Sequence, residues 1–153
     1  MWQLFSRKTF TMKLKHLLFL SALFFLSLPL TAQSPVGVWK TIDDETGEAK
    51  SYVEIYQENG KFYGKIVKLL QSAPDKKCDA CPGDKKGKPL MGMVVLWDLK
   101  PYKDYWSYGE IMDPNNGKTY SCSIWLEDEN TLKVRGYLGM SLLGRTQVWY
   151  RVK

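Results

Sequence analysis

The 153-residue chain has one histidine, three cysteines, and a single phenylalanine, Phe62, beyond residue 32. His16 lies in the first 32 residues, which also hold Arg7, Lys8, Lys13 and Lys15 and no acidic residue. Removal of that segment leaves a protein without imidazole. That excludes Ser-His-Asp and Cys-His nucleophiles and every His-ligated metal site together. Charge of one sign is also scarce, because the formal net charge of +6 falls to about +2 without those residues. Nucleic acid binding requires a clear basic face with interleaved aromatics, and so little charge does not provide one. The length allows one ordinary domain.

From Met12 the chain reads M-K-L-K-H, then an apolar run from Leu17 to Leu28, then P-L-T-A-Q. A basic start, an apolar stretch and a small-residue exit form the pattern of a secretory signal. The run is shorter than the roughly 20 apolar residues of a membrane span. Cleavage after Ala32 would leave Gln33 as the new N-terminus. No Cys follows the apolar run, so nothing there suggests a lipid anchor. Met1 to Thr11 is an over-extended start, with Met12 the alternative initiator. The expected organisation is a signal peptide at 1–32 and one domain at 33–153, exported to the periplasm or secreted.

From Gln33 onward there is no repeat and no long helical periodicity. Short alternating segments are separated instead by turn residues, which predicts an antiparallel sheet. The segments are Val36–Ile42, Lys50–Gln57, Lys61–Leu70, Met91–Leu96, Tyr105–Met112, Lys118–Leu126, Thr131–Leu138 and Arg145–Val152. Asn59-Gly60 is a strong hairpin signal, since both residues tolerate φ > 0. Gly64 marks a bend or bulge. Residues 71–88 form a loop that is long for so small a domain. Eight short-linked strands suit an all-β, up-and-down antiparallel barrel; an open, strongly curved sheet is the alternative. Closure would also remove exposed strand edges.

Two resemblances carry further. Gly37-Val38-Trp39 resembles the G-x-W that opens lipocalins, in which an Arg on the last strand packs on the Trp and closes one end of the barrel. Arg151 is the matching residue, with Arg145 second. The ordered segments S-P-V-G-V-W-K-T, K-P-L-M-G-M, G-E-I-M-D-P-N-N-G-K-T-Y, L-K-V-R-G-Y-L-G and L-G-R-T-Q-V-W-Y-R-V are similar to the secreted bacterial family DUF2147. That resemblance covers most of the mature chain. It implies an exported, lipocalin-like, calycin-type barrel and no established activity.

Cys78-Asp79-Ala80-Cys81 has the spacing of a redox or metal motif. Without His, and with only Cys122 left, a full zinc ligand set is missing. Lys76, Lys77, Lys85, Lys86 and Lys88 could favour a thiolate, which keeps a thiol-disulfide role as an alternative. The simpler reading is a structural disulfide in an oxidising compartment. Cys122 then stands alone as a small buried hydrophobe. Asp75, Asp79 and Asp84 interrupt the lysines, which reads as a solvated loop. Asp113-Pro114-Asn115-Asn116-Gly117 puts Gly fifth rather than sixth and Ile124 at position twelve, so it reads as a hairpin turn rather than a calcium loop. Asp98, Asp104 and Glu110 show no catalytic pairing in the sequence.

The informative excess is aromatic: Trp39, Trp97, Trp106, Trp125, Trp149 and nine Tyr. Such side chains bury area while keeping a polar handle, which suits a pocket wall as well as a wet core. On the last strand Arg145, Gln147 and Trp149 share one face and Val148, Tyr150 and Val152 the other. Alternation does not say which points inward. Met140, Leu142 and Leu143 occupy a hairpin position that is normally polar. They either plug one end of the barrel or form an exposed lip for a ligand or an envelope or protein partner. The expected function is a binding module for a small, partly apolar ligand, without catalysis or cofactor. Its candidate contacts are Trp39, Trp125, Tyr137, Arg145, Gln147 and Trp149. An interaction or envelope-associated protein with a filled barrel is the alternative.

Overall fold

The computed structural model describes residues 33–140 and 142–153; the signal-peptide reading falls outside them. Eight strands form one closed antiparallel barrel, each paired with its neighbours in chain order. They are β1 (Gly37–Ile42), β2 (Ala49–Glu58), β3 (Lys61–Leu69), β4 (Val94–Tyr102), β5 (Tyr105–Met112), β6 (Thr119–Asp128), β7 (Thr131–Tyr137) and β8 (Gly144–Arg151). The seam is short: β1 and β8 pair only at Trp39–Arg151 and Lys40–Tyr150.

Turn chemistry accounts for the connections. Asn59 and Gly60 both have positive φ, 50° and 76°, as a two-residue hairpin requires. The β1–β2 and β5–β6 turns share one design. The Asp43 carbonyl accepts from Gly47 N, while its carboxylate accepts the amides of Glu45 and Thr46. Asp113 does the same with Gly117 N and with the Asn115 amide. A short side-chain acceptor that mimics the backbone turn explains Asp at both first positions.

The fourth strand is where sequence and structure part. The apolar run Met91–Leu96 predicts a strand, but β4 starts at Val94 and continues through Asp98 and Pro101 to Tyr102. Two extra residues are absorbed as bulges against β3, where Phe62 opposes Leu99, Gly64 opposes Leu96 and Lys65 opposes Val94. Asp98 takes φ 60° at one of these, and Tyr108 on β5 takes φ 62° at a third bulge, against β6. Each bulge shifts the inward face by one residue, so the period of two is broken and the pattern hides the strand.

One half of the barrel is solid. Trp39, Ile55, Leu96, Leu99, Ile124 and Leu132 are fully buried there, with Phe62 edge-on to Trp106 at 5.8 Å. Pro35 is also buried and its carbonyl accepts from Trp39 Nε1 at 2.7 Å. Arg151 finishes this end. Its guanidinium carbon lies 4.2 Å from the Trp39 ring centroid, and it donates to the carbonyls of Glu129, Val36 and Ser34.

Candidate functional site

The other half of the barrel is open. Above Val53, Ile66, Val95, Val134 and Trp149 lies a cavity of about 430 Å³. That falls within the range of small-molecule sites. Alternation builds its wall: on β1 and β2 the inward positions above the core are Thr41 and Ser51, whose hydroxyls bond each other at 2.8 Å. On β6, β7 and β8 the inward positions are Tyr120, Gly136, Gln147 and Arg145. Gly136 leaves room that any other residue on β7 would fill, since a Cβ built there meets only Tyr120 and Ile111 atoms at 3.4–3.8 Å.

β8 therefore turns its Arg145, Gln147 and Trp149 face inward, and both polar side chains have protein partners. Gln147 Oε1 accepts from Trp149 Nε1 at 3.2 Å. Arg145, 61% exposed, pairs with Asp44 across the seam above the last β1–β8 pair. Lys50 Nζ stands 4.0 Å from Asp43 Oδ2 at the rim. The amides of Thr46 and Glu45 hold the Asp43 carboxyl below its usual range, with Lys50 adding to the effect.

Of the other sequence candidates, Trp39 sits in the solid half under Arg151, away from the cavity. Trp125 and Tyr137 do not line it either. Trp125 alternates with buried Cys122 and Ile124 and lies opposite Lys133; Tyr137 alternates with inward Gly136 and Val134. Both belong to the outer surface, and the period-two pattern of their strands already carried that signal. The cavity residues missing from the sequence candidates are of two kinds: small and aliphatic ones, which look like ordinary core, and polar ones such as Lys50, Asp113, Asn115 and Tyr120, which look like turn or surface positions until the barrel closes.

The long loop supplies the rest of the rim. Cys78 and Cys81 form a disulfide, both nearly inaccessible. Cys78 N donates to Lys88 O, Gly87 N to Cys78 O and Leu90 N to Lys76 O, which closes the loop on itself. Its tip packs on the β5–β6 turn so tightly that a Cβ on Gly117 would meet Ala80 O at 1.8 Å. This brings Gln71, Ser72 and Leu90 to the cavity beside Asp113, Pro114, Asn115 and Asn116. Two of the loop lysines are engaged within the chain: Lys85 donates to Val94 O and lies over the Trp97 ring, and Lys76 pairs with Asp79; Lys77, Lys86 and Lys88 are exposed.

Met140, Leu142 and Leu143 are 66%, 82% and 69% exposed at the cavity end of the barrel. They do not plug it. Leu138, 60% exposed, extends the same apolar tip. Cys122 is buried on β6 opposite Gly136, and burial pushes its thiol up to about 12. Among the described residues, no group of three or more His, Cys, Asp or Glu could hold a metal ion.

Comparison with known proteins agrees with this architecture. A solved structure described as "Protein HP1028 from the human pathogen Helicobacter pylori belongs to the lipocalin family" superposes with a TM-score of 0.70 at 24% identity, over 78% of this chain and 84% of that one. At that identity the likeness establishes the fold, a lipocalin-like barrel. No curated protein matches the chain. The model of a family described as "Uncharacterized protein conserved in bacteria (DUF2147)" matches residues 37–151, and the chain belongs to that family.

Proposed function

We propose that this protein is an exported carrier or sensor that holds one small, partly apolar molecule in the open half of its barrel and performs no chemistry on it. The observation that carries this reading is the division of the interior. One half is packed to zero exposure, while the other keeps about 430 Å³ open behind a rim braced by a disulfide and two Asp-anchored turns. A protein that worked only through its outer surface would gain stability by filling such a space, because unfilled interior volume forfeits packing contacts. The cavity also combines an aliphatic floor with a few placed polar groups, as ligand sites do. Export rests on the leader pattern, and N-terminal sequencing of the envelope species should start near Gln33.

Gly136→Leu tests the cavity. The position has ordinary van der Waals room for a Cβ and ordinary backbone φ, so the longer side chain extends into open space. Native mass spectrometry of protein purified from its own envelope should show a small-molecule adduct, and Gly136→Leu should fold equally well and lose it. An adduct that persists unchanged in the filled variant would refute the assignment.

A further inference from the structure

The hydrogen-bonding state of the cavity wall defines the chemistry of what fits, given the reading of the cavity as a ligand site. An indole N–H can only donate, so Trp149 fixes the Gln147 amide with its carbonyl toward the ring. The Gln147 amide nitrogen is thereby left as a donor with no protein acceptor among the described residues. The Tyr120 hydroxyl on the neighbouring wall is also without a protein partner among them. Neither is a buried orphan, so both border accessible space. Gly136 on β7 lies on the strand between them, next to the Tyr120 side chain, and puts no side chain of its own into the space.

The charged side chains of the wall are in a different state. Lys50 faces Asp43, Arg145 pairs with Asp44, and Asp113 accepts from the Asn115 amide and from Asn116 Nδ2. The lining contains two cations and two carboxylates, so its formal charge cancels. An ionic head group entering this space would lose water and find no net opposite charge in the lining, where each cation already stands beside a carboxylate, which is costly. An uncharged acceptor would meet unsatisfied donors, Gln147 Nε2 and the Tyr120 hydroxyl among them. We propose that the cavity selects uncharged apolar molecules bearing a carbonyl acceptor, of the ester, ketone or lactone type, and that Gln147 Nε2 and the Tyr120 hydroxyl bind that carbonyl.

The test is titration calorimetry of the mature protein with three probes of one chain length: methyl decanoate, decanoate and decylammonium, at neutral pH. The ester should bind at least about tenfold more tightly than either ion, the scale of leaving one charge poorly compensated. Tyr120→Phe and Gln147→Glu should each weaken the ester by about three- to tenfold, the value of one neutral hydrogen bond. Gln147→Glu keeps an acceptor for Trp149, so an unchanged melting temperature shows that loss of affinity is not loss of fold. Decanoate or decylammonium binding as tightly as the ester would overturn the proposal, as would full ester affinity in both variants. If an ion binds in a Gly136→Leu-sensitive way and the ester does not, this inference fails while the cavity remains a ligand site. If no probe binds and Gly136→Leu leaves the native adduct in place, the cavity reading fails with it.

Discussion

Arg151 lies over Trp39 with its guanidinium carbon 4.2 Å from the ring centroid, and Gly37 is what permits it. A Cβ at Gly37 would sit 2.6 Å from Arg151 Nη1, in a backbone conformation (φ 138°) that side chains rarely adopt. The pairing therefore depends on three residues from the two strands that close the barrel. Trp39→Ala should cost about 3–5 kcal/mol, the range for emptying a buried indole site. Gly37→Ala should cost about 1–3 kcal/mol through strain alone. Urea unfolding measures both, and a Gly37→Ala protein as stable as native would show that the clash is relieved elsewhere.

The contact between the disulfide loop and the β5–β6 turn can be isolated by comparing two glycines. Gly47 and Gly117 occupy equivalent turn positions with φ 74° and 68°, but a Cβ at Gly47 meets nothing. Both Ala substitutions carry the same conformational strain, so the difference between them reports the loop contact. Gly117→Ala should be the more destabilising by at least about 1 kcal/mol and should also weaken ligand retention. Equal losses at the two sites would mean that the loop does not brace the rim.

Exposure at the β7–β8 tip makes a contrasting prediction. Replacing Met140, Leu142 and Leu143 with Ser removes little buried area, so stability should stay within about 0.5 kcal/mol of native for each change, as for other surface sites. Uptake of an apolar dye should fall if the tip forms a lip at the cavity end. A loss of several kcal/mol would instead mean that these side chains pack inside in solution.

Cys122 should behave as an inert thiol. Burial alone holds its ionisation up to about 12, so the reactive thiolate is scarce across the neutral range. Native protein treated with a thiol reagent at pH 8 should therefore give no labelling, and denatured unreduced protein should label at Cys122 only. Native labelling, or a second labelled cysteine, would contradict the buried site or the Cys78–Cys81 bridge.

Much of this architecture was legible in the amino-acid order. Period-two alternation, Asn59-Gly60 and the two Asp-to-Gly turns are local signals, set by backbone sterics and short-range hydrogen bonds. They defined the strand count, and the G-x-W and last-strand Arg pointed to the closing pair. The face that each strand buries is also local once one neighbour is known to be core, as Trp125 and Tyr137 show against Cys122 and Val134. Other features depended on the closed barrel. Two bulges against β3, one of them at Asp98, broke the alternation of β4 and displaced it from its apolar run, because a bulge is selected by the neighbouring strand and not by its own residues. The inward turn of Arg145, Gln147 and Trp149 was open in the sequence, since a strand with polar groups on one face and aromatics on both has no intrinsic inside. The cavity was the least legible feature. Empty volume is a difference between the space that eight strands enclose and the side chains that enter it, and Thr41, Ser51 and Gly136 acquire meaning only across strands distant in the chain.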